Sequence, residues 1–156
     1  MSRFETKTEQ RGLNCVEIAI PREQAVHGRL KVQAPDGNEV IIDLPRGEVI
    51  HDEDTFGPSE TGTYYQMKIK AEEVMQVRLK GEVRTTENAL KLGYELGGHH
   101  LEVLVEGDSA FLPLNIHPDK LEAILQRTGL PVLVDIVRKV IDPGSSGYFA
   151  GEDEGD

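Results

Sequence analysis

A chain of 156 residues has room for one ordinary domain or two small ones. Seventeen Lys and Arg against 28 Asp and Glu give a formal charge of −11, the wrong sign for a nucleic-acid partner, and no basic stripe offsets it. The single cysteine, Cys15, rules out an intrachain disulfide and any thiolate zinc cluster. No apolar run approaches the ~18 residues of a membrane helix, and no apolar stretch follows Met1–Glu5 as in a signal peptide, so the expected compartment is the cytoplasm and no membrane partner is expected. With no Trp and 5% aromatic residues there is little sign of a platform for stacking bases or sugars.

Residues 1–12 are polar and read as a frayed start. Asn14–Ile20 alternates as a strand that Pro21 ends. Residues 27–34 read as a strand with Leu30, Val32 and Ala34 on one face, and Pro35-Asp36-Gly37-Asn38 has turn chemistry. Residues 39–44 return as the hairpin partner, Glu48-Val49-Ile50 is a short strand, and 51–62 is a loop. Thr63–Lys70 alternates Tyr65, Met67 and Ile69 against lysines. The first half is thus all-β, two small sheets or a small barrel.

Ala71-Glu72-Glu73 marks a seam, beyond which the pattern changes. Val74–Leu79 is a strand. Thr85 or Thr86 caps a helix, with Ala89, Leu92, Gly93 and Leu96 on one face. Leu101–Glu106 and Ser109–Leu114 form a hairpin about Gly107-Asp108. Pro118 opens a second helix that presents Leu121, Ile124 and Leu125 and stops at Gly129. Val132–Val137, or as far as Val140, is the last strand, Pro143-Gly144-Ser145-Ser146-Gly147 is a linker, and the chain ends in acidic residues. The expected fold class is α+β: an all-β domain over 1–72 for binding a partner or peptide, a ferredoxin-like βαββαβ domain over 73–143, and a flexible acidic tail over 144–156. Halves of about 70 residues bury only about 60% of their surface, which favours dimerisation. Leu104, Leu112 and Leu114 are candidates for an apolar partner face, or equally for the core.

The chemistry gathers at the join between helix and strand. In Leu96-Gly97-Gly98-His99-His100-Leu101-Glu102 the glycines are expected to supply the left-handed turn that ends the helix, followed by two of the five histidines. Imidazole binds transition metals while neutral near pH 7. If Glu106 pairs with Ser109, His100 lies opposite Asn115 and Gly98 near His117. Strands ~5 Å apart and a two-residue shift of ~7 Å then bring His99, His100 and His117 to one end of the domain. The bland alternatives are a solvated His-His pair, and a His117 that only caps the second helix. Asp119 suits the helix dipole. His27 and His51 read as surface. Two or three imidazoles do not fill the shell of nickel or zinc, but a two-fold mate doubles the donors. Without thiolate such a site is labile, which suits delivery better than structure.

These residues resemble the UreE family of nickel metallochaperones over almost the whole chain. The family's Leu-Gly-Asn-Arg-His ending matches Leu96-Gly97-Gly98-His99-His100, with Gly98 in place of Asn and His99 where Arg is common. Glu102 stands where Pro is frequent, and the tail is acidic where many members have histidines. Leu44-Pro45-Arg46-Gly47 and His51-Asp52-Glu53-Asp54 resemble the family's Leu-Pro-Arg-Gly and Asp-Gly-Asp segments. The resemblance implies a homodimer in which His100 meets its mate and binds Ni²⁺, assisted by His99 or His117, with Zn²⁺ or Cu²⁺ as competitors in vitro. It implies the GTPase UreG and the apo-urease complex as partners. No nucleophile motif, HExxH, P-loop or paired carboxylates point to an enzyme. The alternative is a regulatory or adaptor module that binds a small effector or protein and has an incidental His pair.

Overall fold

The computed structural model describes residues 1–9 and 14–151, so the expectations for 10–12 and 152–156 lie outside the described residues. Two compact units divide the chain: Met1–Lys70 with Asp142–Ser145, and Ala71–Ile141 with Ser146–Asp156. Among the described residues no helix is long and apolar enough to cross a membrane.

The first unit contains β1 (Ser2–Phe4), β2 (Cys15–Ile20), α1 (Arg22–His27), β3 (Arg29–Gln33), β4 (Glu39–Asp43), β5 (Thr55–Phe56) and β6 (Tyr64–Ile69). They form two three-stranded sheets, ordered β1-β4-β3 and β2-β6-β5. The expected hairpin is present: Gln33 pairs with Glu39, and Asp36 Oδ1 accepts the Asn38 N–H at 2.9 Å to hold the turn. Alternation drives burial, with Val40 and Ile42 of β4 and Tyr65, Met67 and Ile69 of β6 all at most 4% exposed. Phe4 bridges the sheets, its ring centroid 6.3 Å from Phe56 and 6.1 Å from Tyr65.

The polar start is not frayed at residues 2–4, because β1 pairs in parallel with β4. Residues 21–27 hold α1, whose first turn hangs on the Pro21 carbonyl, accepting from Gln24 and Ala25. Its six residues bury only Arg22 and Ala25, too few to print a helical period. His27 therefore ends a helix, and Gly28 turns the chain with φ +66° where a Cβ would strike the Glu48 carbonyl. Glu48–Ile50 forms no strand; Ile50 is fully buried, its N–H bonded to the Ala25 carbonyl at 2.9 Å. The expected loop at 51–62 contains β5, too short to show alternation.

The second unit contains β7 (Glu72–Leu79), a 3-10 turn at Gly81–Val83, α2 (Thr86–Gly98), β8 (Val103–Glu106), β9 (Ser109–Pro113), α3 (Pro118–Arg127), β10 (Val132–Lys139) and β11 (Tyr148–Phe149). Its five strands run in the order β10-β7-β9-β8-β11, every neighbour antiparallel. The expected β-α-β-β-α-β element sequence is there, and the class is α+β. The residues read as a seam, Glu72 and Glu73, are already in β7, paired with Lys139 and Arg138.

Odd residues of β7 (Met75, Val77, Leu79) join Leu92 and Leu96 of α2 and Leu121 and Leu125 of α3 in one core. The even residue Val74 joins Leu104, Phe111 and Ile141 in a second cluster, with Tyr148 packed on it. Leu104 and Leu112 are 2% and 1% exposed and belong to the interior, so they offer no partner face, while Leu114 packs half-buried on the first core. The tail expected to be flexible from residue 144 contains β11, whose Tyr148 and Phe149 pair with Leu104 and Val103 along the edge of β8.

Candidate metal site at the end of helix α2

Thr85 starts α2 as expected, its side chain accepting the Asn88 N–H at 3.1 Å. The helix then ends differently from the reading of its glycines. Gly97 and Gly98 are its last helical residues, and the left-handed position falls to His100, with φ +54°. The His100 N–H donates to the Gly97 carbonyl at 3.0 Å, and the Leu101 N–H reaches back to the Leu96 carbonyl at 3.4 Å. These are the two bonds of a Schellman end, and Leu101 packs on the core that contains Leu96. Glycine normally fills that left-handed position, so an imidazole here is a local cost accepted by the fold, lightened because His is among the residues enriched there.

The bend leaves both histidines at the surface. His99 caps the helix and its Nε2 lies 3.9 Å from Glu95 Oε2 one turn back. The hairpin register is the expected one, Glu106 opposite Ser109, which brings the two histidine loops to one end of the sheet. Asn115 Nδ2 donates to Glu102 Oε1 across that end at 3.4 Å.

His117 caps α3: its Nδ1 accepts the Asp119 N–H at 3.2 Å. An accepting Nδ1 leaves the proton of a neutral ring on Nε2, so the cap and metal ligation through Nε2 compete for one lone-pair arrangement. Ligation would move the proton to Nδ1, 3.6 Å from Asp119 Oδ2, which could then orient the ring. Among the described residues no group of three or more His, Cys, Asp or Glu is close enough to hold a metal ion. His99, His100 and His117 thus share an end of the fold without forming a complete site within one chain. His27 and His51 are exposed. The carboxylates after His51 are engaged locally: Asp52 accepts the Ile69 N–H, Asp54 pairs with Lys7, and Glu53 pairs with Lys68 and raises its pKa.

Sequence reading missed the surface beside these histidines. Of the expected apolar face of α2 only Leu92 and Leu96 are buried. Ala89 and Gly93 line an open groove of about 780 Å³ between α2 and the β8–β9–β11 side of the sheet. Leu90 and Tyr94 stand out at its rim, 70% and 81% exposed. The signal was present in the sequence: Leu90, Gly93, Tyr94 and Gly97 form a second helical stripe.

No family model matches the chain. Among curated proteins it is 31% identical over 140 residues to urease accessory protein UreE of Aliivibrio fischeri (strain MJ11), covering 88% of this chain and 80% of that one. It is 31% identical to the UreE of Ralstonia nicotianae, covering 89% of this chain and 61% of the relative, and 29% identical to that of Microcystis aeruginosa, covering 76% and 70%. Similarity that spans both units and includes the helix end carrying His100 places this chain in the UreE family of urease accessory proteins.

Proposed function

We propose that this protein is a non-enzymatic, homodimeric nickel carrier that serves urease maturation in the cytoplasm. The second unit is read as a ferredoxin-like domain for metal binding and dimerisation, and the first as the partner-binding domain. The observation that carries the reading is His100, an exposed imidazole held in a left-handed helix end next to an unpartnered helix face. A second copy of the chain is the occupant of that face. Knob (Leu90, Tyr94) and groove lie side by side on one surface, the self-complementary arrangement a two-fold dimer requires. Gly93 and Gly97 have no atom within 4 Å of the place a Cβ would occupy, which leaves the helix backbone open to close approach. Among the described residues one chain offers too few donors, and His100 with its mate, assisted by His99 or His117, makes an open nitrogen and oxygen site for Ni²⁺. Such a site releases its cargo when UreG or the apo-urease complex offers a better shell. Copper and zinc compete on intrinsic affinity, so selectivity comes from geometry and supply.

Nickel titration by calorimetry tests this. Wild type is expected to bind one tight Ni²⁺ per dimer, and His100→Ala to lose that site. His117→Asn keeps the cap through its amide oxygen and is expected to lower affinity only if His117 ligates. Because imidazole must be deprotonated to bind, affinity is expected to fall steeply below about pH 6. Unaltered stoichiometry and affinity in His100→Ala would remove the proposal and favour an adaptor role for the groove.

A further inference from the structure

We propose that Ser146–Gly151 is a strap that holds the His100 bend in its ligating shape, with Tyr148 as its positioning residue; this rests on the reading of His100 as a metal donor. The strap is seated closely on β8. The Val105 N–H donates to the Gly147 carbonyl at 2.8 Å, and Tyr148 and Phe149 pair with Leu104 and Val103. Gly147 sits where a Cβ would collide with the Val105 carbonyl oxygen. At Gly151 a Cβ would lie 2.7 Å from the His100 carbonyl oxygen and 2.8 Å from the Glu102 nitrogen, so only glycine lets the strap lie against the bend.

Tyr148 connects the strap to both histidine loops. Its hydroxyl donates to Glu102 Oε2, and Glu102 Oε1 accepts from Asn115 Nδ2. Glu102 is two residues beyond His100, and Asn115 two before His117. One phenol on the strap therefore bears on the exit of the left-handed bend and, through the same carboxylate, on the approach to α3. A strained φ persists only where surrounding structure over-determines it. The strap supplies that constraint through Gly151 against the backbone of the bend and Tyr148 on Glu102, in addition to the Leu101 contact with the core.

Tyr148→Phe keeps the ring on the cluster of Val74, Leu104, Phe111 and Ile141 and removes only the hydroxyl. It is expected to leave the melting temperature nearly unchanged, weaken nickel binding about tenfold, and shift or broaden the His100 imidazole resonance of the metal-free protein, which loss of packing alone would not do. Gly151→Ala, which presses on the His100 carbonyl, is expected to do the same. Wild-type affinity and an unmoved His100 resonance in both variants would overturn the strap while leaving the nickel reading intact. A His100→Ala control that still binds tightly would overturn both.

Discussion

His100 takes a backbone conformation that L residues avoid, and the cost falls on the residue expected to do the chemistry. Replacing it by glycine relieves the Cβ clash, while replacing it by alanine does not. His100→Gly is therefore expected to raise the stability of the metal-free protein by about 1 kcal/mol and His100→Ala to leave it level or lower it, as read by urea denaturation, with the tight nickel site absent in both. Equal stabilities would mean that the bend is not strained. The residue pattern Gly-Gly-His-His announced a helix end, but the position of the left-handed residue depends on which carbonyl the returning N–H groups reach. The contact of Leu101 with the core sets that, and it lies outside the local sequence.

The two helices of the second unit show what periodicity can and cannot decide. The face of α3 named from its spacing, Leu121, Ile124 and Leu125, is buried as a whole. In α2 a 13-residue helix buries two side chains, because Leu90 and Tyr94 of its second stripe stand exposed beside the groove instead of packing on the sheet. In the first unit Tyr65 shows a sheet position that carries polar chemistry as well as packing. Its ring is 1% exposed, while its hydroxyl donates to Asp36 Oδ2 and accepts from Asn38 Nδ2. Burial first, and Asp36 besides, raise its pKa above the ordinary 10.0, although the Asn38 bond opposes them. A pKa raised on folding means the native state holds the proton longer than the unfolded chain. The corresponding stability is complete below pH 10 and is lost as pH rises through the folded value. Thermal melts between pH 9 and 11 are expected to show a steeper loss for wild type than for Tyr65→Phe; parallel profiles would refute the assignment.

With a net charge of −11, two copies of this chain repel one another at long range, so the proposed dimer relies on short-range contacts, apolar surface among them. Leu90, Tyr94 and the adjoining groove supply such a surface, and it lies on the helix that ends in His99 and His100. Tyr94→Glu adds a charge to the exposed knob without touching the core. It is expected to sediment as a monomer with an unchanged far-UV spectrum, and its nickel bound per chain is expected to fall. A variant that stays dimeric would place the interface elsewhere.

Local pattern alone gave the β-α-β-β-α-β order of the second half, the β3–β4 and β8–β9 hairpins with their turns, and the end of the sheet at which the histidine loops meet, whereas it read the first half as all-β and left the choice of cap for α2 and α3 open. Each of these follows from alternation, helical spacing or turn chemistry in consecutive segments of the chain. Tertiary structure decided the parallel pairings of β1 with β4 and β2 with β6, whose partners lie far apart in the chain. It decided that Leu104 and Leu112 are interior, that α2 leaves a face open, and that Tyr148 and Phe149 close the edge of β8. Strands of two or three residues carry no period, and burial depends on what else arrives at a face, so these features exist only once the whole chain has packed.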